Sequence, residues 1–120
     1  PDIIQSGKTP AIEENIGEHP TLKPQHLLRI LARTLLPLGK GVILEPFAGS
    51  GSAIAACEAI GYDSVGVELD ECHFHKLDRN IAQLSRLYPG FKGESMTMPL
   101  SEIALRPRVK RSFSGQSALL

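Results

Sequence analysis

Apolar positions along the chain change their period several times, and each change marks an element. Val42, Ile43 and Leu44 form a continuous apolar run that stops at Glu45-Pro46. Val and Ile favour a pleated strand and proline removes a ladder donor, so this run predicts a short strand ending at Glu45. Residues 52–60 are rich in alanine (Ala53, Ala55, Ala56, Ala59) and are followed by Gly61, a pattern that predicts a helix with a left-handed glycine stop. Residues 64–68 read as a second short strand. Asp70 is then an N-cap candidate for a helix over residues 71–88, where Phe74, Leu77, Ile81, Leu84 and Tyr88 alternate spacings of three and four. That stripe is expected to face the sheet, and Pro89-Gly90 ends it. Upstream, Leu27, Leu28, Leu31, Leu35 and Leu38 keep a helical spacing from residue 24 to about residue 36, with Pro24 suited to the first helical position and Pro37 and Gly39 as the stop. This helix is expected to cover one face of the sheet. Residues 1–18 show no sustained period and read as a loop or weak strand.

Two strands joined through a helix predict an α/β fold with a parallel sheet. Parallel sheets need cover on both faces and several strands, so the pattern predicts part of a doubly wound, Rossmann-like sheet. The free edge of the first strand is expected to pair with strands lying upstream in an intact protein, or in a partner chain. At 120 residues with 42% apolar content the chain is at most one domain, and alone it should be only marginally stable. It begins with Pro1 rather than Met, which suggests a piece excised from something longer. The expected organisation is a linker from a missing upstream part over residues 1–18, an α/β ligand-binding domain over 19–90, and a basic, flexible tail over 91–120.

Between the first strand and the alanine-rich helix lies Phe47-Ala48-Gly49-Ser50-Gly51-Ser52. Gly49 and Gly51 let the backbone approach a ligand, and the helix N-terminus beyond them offers unpaired N–H groups and a positive dipole end to an anion. Ser52 can cap the helix and also hydrogen-bond a carboxylate. Glu68 follows Gly51 by 17 residues, at the end of the second strand, where an acidic residue accepts hydrogen bonds from the ribose hydroxyls of a nucleoside-containing cofactor. A dinucleotide fingerprint would place a third glycine at position 54, which is Ile54 here. With two glycines and Pro46-Phe47 leading in, the loop suits a carboxylate at least as well as a pyrophosphate. Phe47 either packs on the cofactor or fills the space beneath the loop. Leu69 either flanks an adenine ring or is ordinary core.

Composition narrows the class. Thirteen basic residues balance thirteen acidic ones, so no global field draws the chain to nucleic acid or a membrane. The tail carries a local excess of base, Lys92, Arg106, Arg108, Lys110 and Arg111 against Glu94 and Glu102. Cys57 and Cys72 have no metal or redox spacing, which predicts reduced thiols in a cytoplasmic protein. Cys72, His73 and His75 leave only one pair on a common helix face, so no metal site is expected. No apolar run is long enough to span a bilayer and no signal peptide is visible, so no membrane partner is expected.

Leu44-Glu45-Pro46-Phe47-Ala48-Gly49-Ser50-Gly51-Ser52, then Gly66-Val67-Glu68-Leu69-Asp70, and before both His19-Pro20-Thr21-Leu22-Lys23-Pro24, together resemble the S-adenosylmethionine-binding half of the DNA amino-methyltransferases. That family methylates adenine N6 or cytosine N4. The motif order is similar to its beta group, in which the cofactor half follows the catalytic half. The resemblance spans about residues 15–85 and implies S-adenosylmethionine as cofactor and DNA as substrate of the intact protein. It implies that residues 47–52 serve the methionine end, that Glu45 also belongs to the cofactor site, that Glu68 holds the ribose with Leu69 beside the adenine, and that Thr21 and Lys23 meet the cofactor carboxylate. Read alone, Lys23 and His19 are just as well the exposed entry to a helix. The family usually has Asp at position 45 and Thr at position 52; Glu45 and Ser52 keep the same chemical groups. No Pro-Pro dipeptide occurs in the chain, so the family's catalytic Pro-Pro-aromatic motif is absent and no catalytic residue is assigned. The expected function is the cofactor part of such a methyltransferase, inactive alone. Alternatives are a non-catalytic cofactor-binding subunit that needs a catalytic partner, and a nicotinamide-dinucleotide-binding domain.

Overall fold

The computed structural model describes residue 4 and residues 6–93. Along them run α1 (Ala11–Gly17), α2 (Gln25–Leu35), β1 (Val42–Glu45), α3 (Ser52–Ile60), β2 (Asp63–Gly66) and α4 (Glu71–Leu84). The architecture is α/β, with one two-stranded parallel sheet among the described residues. Val42 lies opposite Asp63, Ile43 opposite Ser64, Leu44 opposite Val65 and Glu45 opposite Gly66. Pairing carries on beyond β2, because Val67 N donates to Glu45 O (2.9 Å) and Ala48 N donates to Val67 O (2.8 Å). Those two bonds set Glu68 level with the glycine loop.

α3 is the central element. Ile54, Ala55, Ala56, Cys57, Ala59 and Ile60 are all buried, because the helix has the sheet beneath it, α2 on one side and α4 on the other. Small side chains permit that close approach. The contact with the sheet is tightest at Gly66, where an added Cβ would overlap Cδ1 of Ile54 and lie 3.3 Å from Cβ of Ala48. Gly66→Ala is therefore expected to lose about 1–3 kcal/mol, the usual cost of overpacking a filled core, read as a lower urea midpoint. An unchanged midpoint would mean that β2 and α3 do not meet this closely.

Two apolar clusters result. Leu22, Ala48, Ile54, Leu77, Ile81 and Leu84 form the larger one between α3 and α4, and Ala32, Cys57 and Ile60 form the smaller one with Ile43 and Tyr62 packed against it. Burial pushes the Cys57 thiol up to about 11, so it stays protonated and inert. The opposite face of the sheet carries Val42, Leu44, Val65 and Val67, each 52–64% exposed.

Several elements differ from expectation. Residues 11–17 are helical, not a loop or weak strand: Pro10 occupies the N-cap and Glu13 and Glu14 sit in the first turn, where carboxylates complement the helix dipole. Pro24 stands at the N-cap of α2, one place before the first helical position. The leucine stripe of α2 does not cover the sheet. α2 instead packs on α3, burying Gln25, Arg29 and Ala32, while Leu31, Leu35 and Leu38 are 39%, 66% and 82% exposed. The stripe lies roughly a third of a turn from the buried face at about 100° per residue, and long-range partners of Gln25 and Arg29 decide which face turns inward.

α4 ends at Leu84 rather than residue 88. Its last turn gives way to Arg86 N→Gln83 O (3.2 Å) and Leu87 N→Leu84 O (3.2 Å), and Tyr88 takes a left-handed conformation (φ 52°). Its stripe of Leu77, Ile81 and Leu84, with Phe74 partly buried, meets α3 and α1 rather than the sheet. Phe91 and Lys92 stay bonded to the body, and Gly93 packs against it. The side chain of Arg33 donates to the Lys92 carbonyl, Lys92 Nζ donates to Ala59 O (2.8 Å), and a Cβ on Gly93 would strike the Arg29 carbonyl. Residues 94–120, with the expected basic run, lie outside the described residues.

Candidate functional site

The turn between β1 and α3 is built by two left-handed glycines, Gly49 (φ 53°) and Gly51 (φ 81°). Each restriction has a neighbour behind it. A Cβ on Gly49 would come 3.3 Å from Nε2 of His19, and one on Gly51 would come 2.8 Å from Cγ1 of Ile81 and 3.0 Å from Cδ2 of Leu77. Gly51 is thus seated on the core face of α4. It is also the N-cap of α3, and no side chain caps that helix end.

Accounting for the loop amides shows what this end can receive. Phe47 N donates to Glu45 Oε1 (3.1 Å), Ala48 N to Val67 O, Gly49 N to Glu68 Oε2 (2.6 Å) and Gly51 N to Ala48 O (2.7 Å). The amides of Ser50, Ser52 and Ala53 have no acceptor among the described residues. Buried backbone donors are nearly always paired, so three open amides at an uncapped helix N-terminus suit an anion.

These residues form one wall of a cleft of about 220 Å³. Glu45, Phe47, Ala48, Gly49, Ser50 and Ser52 all line it, and Ala53 joins them. The opposite wall comes from the segment before α2, His19, Thr21 and Lys23, and from Leu28 in the first turns of α2. Thr21 donates to His19 Nδ1 from its backbone N–H (3.2 Å) and lies within 3.0 Å of it through Oγ1, which places the ring proton of a neutral imidazole on Nε2. Lys23 Nζ donates to Thr21 O (2.9 Å), so its ammonium is held at the rim. The His19 ring also lies against His73 of α4, with centroids 4.7 Å apart.

Gly51, Glu68 and Leu69 do not line the cleft. Gly51 lies beneath it, and Leu69 is 99% exposed just beyond it. Glu68 sits at its edge, with Oε1 accepting from Asp70 N (2.8 Å) and Oε2 from Gly49 N (2.6 Å). The Asp70 N–H holds its carboxyl below the usual carboxylate range; burial pushes it partly back up, and the Gly49 N–H and His73 add to the lowering. Each oxygen keeps a lone pair for a further donor. Asp70 caps α4 by accepting from His73 N (3.0 Å), and that N–H lowers its own pKa.

His19, Leu28 and Ala53 enter the cleft without having been singled out as site residues. His19 was legible only as the first residue of His19-Pro20-Thr21; Leu28 and Ala53 carry no distinguishing signal. Among the described residues no group of three or more His, Cys, Asp or Glu could hold a metal ion, and no helix is long and apolar enough to cross a membrane.

A strand, a two-glycine loop, an open helix N-terminus and an acidic residue bonded to that loop make an anion-receiving strand–loop–helix unit of an α/β protein. Residues 3–78 match the model of the N6/N4 DNA methylases, and the chain belongs to that DNA methylase family. Over 70 residues it is 30% identical to a Type II methyltransferase, M2.DpnII, of Streptococcus pneumoniae; the aligned stretch is 58% of this chain and 26% of that protein. The chain therefore spans about a quarter of the length of that curated relative. No solved structure matches it significantly. Membership of a DNA methylase family implies S-adenosylmethionine as the methyl donor.

Proposed function

We propose that this chain is the S-adenosylmethionine-binding portion of a DNA methyltransferase acting on the exocyclic amine of adenine (N6) or cytosine (N4). The observation that carries this reading is the set of three open amides, Ser50, Ser52 and Ala53, at the uncapped N-terminus of α3, with Glu68 bonded to the same loop. The donor set fits an amino-acid end. Those amides and Lys23 receive a carboxylate, and Glu45, beside the loop on the amides' own wall, receives an ammonium. At about 220 Å³ the cleft is smaller than the roughly 300–1,000 Å³ of whole small-molecule sites. It takes the methionine moiety, and the nucleoside lies outside it toward Glu68. There Phe47 (86% exposed) and Leu69 (99% exposed) offer apolar surface on which an adenine can lie. Covering such a side chain stabilises by about 1.5–3 kcal/mol when burial is complete.

When bound, the cofactor supplies an electrophilic methyl group. What the chain's own residues do is grip, orient and partly desolvate the two ends of that molecule, so that positioning is their contribution to rate. The chain contains no Pro-Pro dipeptide, and we read it as inactive without a catalytic segment that flips the target base and holds its amine. Residues 19–90 are the cofactor domain in this reading, residues 1–18 the link to the catalytic part, and the intact protein is cytoplasmic with DNA as substrate. The bare apolar face formed by Val42, Leu44, Val65 and Val67, together with sheet edges that no strand pairs among the described residues, supports a doubly wound sheet completed by further strands and helices.

Titration calorimetry tests the assignment. S-adenosylhomocysteine, which cannot react, is expected to bind the full chain, and NAD is not. Equal binding of both would return the site to the nicotinamide class, and no heat with either would remove the cofactor reading altogether.

A further inference from the structure

The two walls of the cleft are tied together behind the site by a side chain that no motif contains. Gln25 is 0% exposed, and its Nε2 donates to the carbonyl of Ser52 at 2.8 Å. Its own backbone N–H donates to Oε2 of Glu13 at 2.9 Å, and Glu13 is 1% exposed. Thus α1 holds the start of α2, and the start of α2 holds the start of α3. Gln25 lies two residues after Lys23 on one wall, and Ser52 is a member of the other. Capping α2 accounts for Glu13, but not for the amide reaching 27 residues along the chain to Ser52. The arrangement is also costly. Gln25 Oε1 is buried without a partner, and a buried polar atom left unpaired is destabilising. An apolar side chain of the same length would join α2 to α3 without that penalty, so the amide is retained for what it holds.

We propose that Gln25 is a positioning residue, and that its bond to Ser52 fixes the gap between the His19–Lys23 wall and the open amides of α3. The proposal rests on the cofactor reading above for what the gap admits, but not for the clamp itself. Gln25 touches no ligand. It acts through Ser52, whose carbonyl it anchors and whose N–H stays open to the cofactor carboxylate.

The test uses the full chain and two readouts. Gln25→Met keeps the length of the side chain and removes the donor, so α2 and α3 stay packed. Gly49 and Gly51, the bonded amides within 49–53, are expected to exchange hydrogen at least about tenfold faster in this variant, with α4 unchanged, and S-adenosylhomocysteine to bind about 10–30-fold more weakly. Those factors correspond to the loss of one buried hydrogen bond. Gln25→Glu, which turns an acceptor toward the Ser52 carbonyl, is expected to bind at least as weakly. A uniform rise in exchange across α4 as well would make Gln25 a general structural residue and overturn the proposal. So would unchanged exchange at Gly49 and Gly51, or wild-type affinity in Gln25→Met. If the wild-type chain itself fails to bind S-adenosylhomocysteine, the cofactor reading falls, and with it the role of the gap, while the exchange data still report whether the clamp exists.

Discussion

Replacing Arg29 with leucine is expected to remove about 3–5 kcal/mol, because hydrogen bonds from a charged donor are worth about 1.5–3 kcal/mol each and four carbonyls would be left without one. Arg29 is 0% exposed, and its two terminal nitrogens reach four carbonyls: Nη1 donates to Tyr88 O (3.1 Å) and Phe91 O (2.7 Å), and Nη2 to Leu84 O (3.3 Å) and Leu87 O (2.8 Å). These oxygens lie at and beyond the C-terminus of α4, where a helix leaves carbonyls unpaired and its dipole is negative. Burial pulls the guanidinium pKa down and Glu13 pushes it back up; arginine stays charged throughout. A small domain holds roughly 0.05–0.15 kcal/mol of stability per residue, about 6–18 kcal/mol for 120 residues, so at the lower end of that range the loss consumes half or more of what this chain has. Urea unfolding followed by far-ultraviolet circular dichroism measures it. Arg29→Lys is expected to recover only part, since one compact ammonium cannot span four acceptors. A leucine variant within about 1 kcal/mol of wild type, the net worth of an ordinary hydrogen bond, would show that α4 ends where it does for other reasons.

Glu68→Ala is expected to weaken S-adenosylhomocysteine binding by about 100-fold, or about 2.8 kcal/mol at 1.4 kcal/mol per decade. Two losses combine. The ribose hydroxyls lose a charged acceptor, and the Gly49 N–H loses the carboxylate that holds the loop at 2.6 Å. The pH dependence has a definite sign. The carboxyl has a lower pKa folded than unfolded, so its contribution is complete above the usual carboxylate range and is lost as pH falls through the folded value. Wild-type stability should therefore show an acid limb below that range, and the alanine variant should show a smaller one. Wild-type affinity in Glu68→Ala would dismiss the ribose assignment, whatever the acid limb shows.

What could be read from the chain was what local chemistry dictates. Ser52 to Gly61 forms its helix from alanine propensity and a glycine stop, and β1 ends at Glu45 because Pro46 follows it. Thr21, Lys23, Glu45, Phe47 and Ser52 meet around one cleft because strand, loop and helix N-terminus are a local device, with the preceding segment folded over it. The orientation of α2 was not legible. Its leucines mark the more apolar face, yet it buries Gln25 and Arg29, whose partners lie 27 and 55–62 residues away. A periodicity argument assigns polar positions to solvent and has no means of knowing that such partners exist. α1 escaped for a related reason, since its buried residues are Glu13 and Gly17 rather than an apolar stripe. The bond from Glu68 to Gly49 was equally hidden: the spacing places an acid near the loop, but only the register of β1 and β2 brings it to a particular amide.

The seat of Gly51 on α4 bears on how this chain can change over generations. The place its Cβ would occupy lies 2.8 Å from Ile81, which is 0% exposed, so the loop and the core share a single volume. A larger side chain at position 81 would press on the turn directly, and a smaller one would leave the turn without its floor. Drift in the interior of α4 is therefore filtered by what the glycine turn tolerates, even though Ile81 is not among the residues that line the cleft. Substitutions at 51 and 81 are not independent, and a change at one sets the range of residues acceptable at the other.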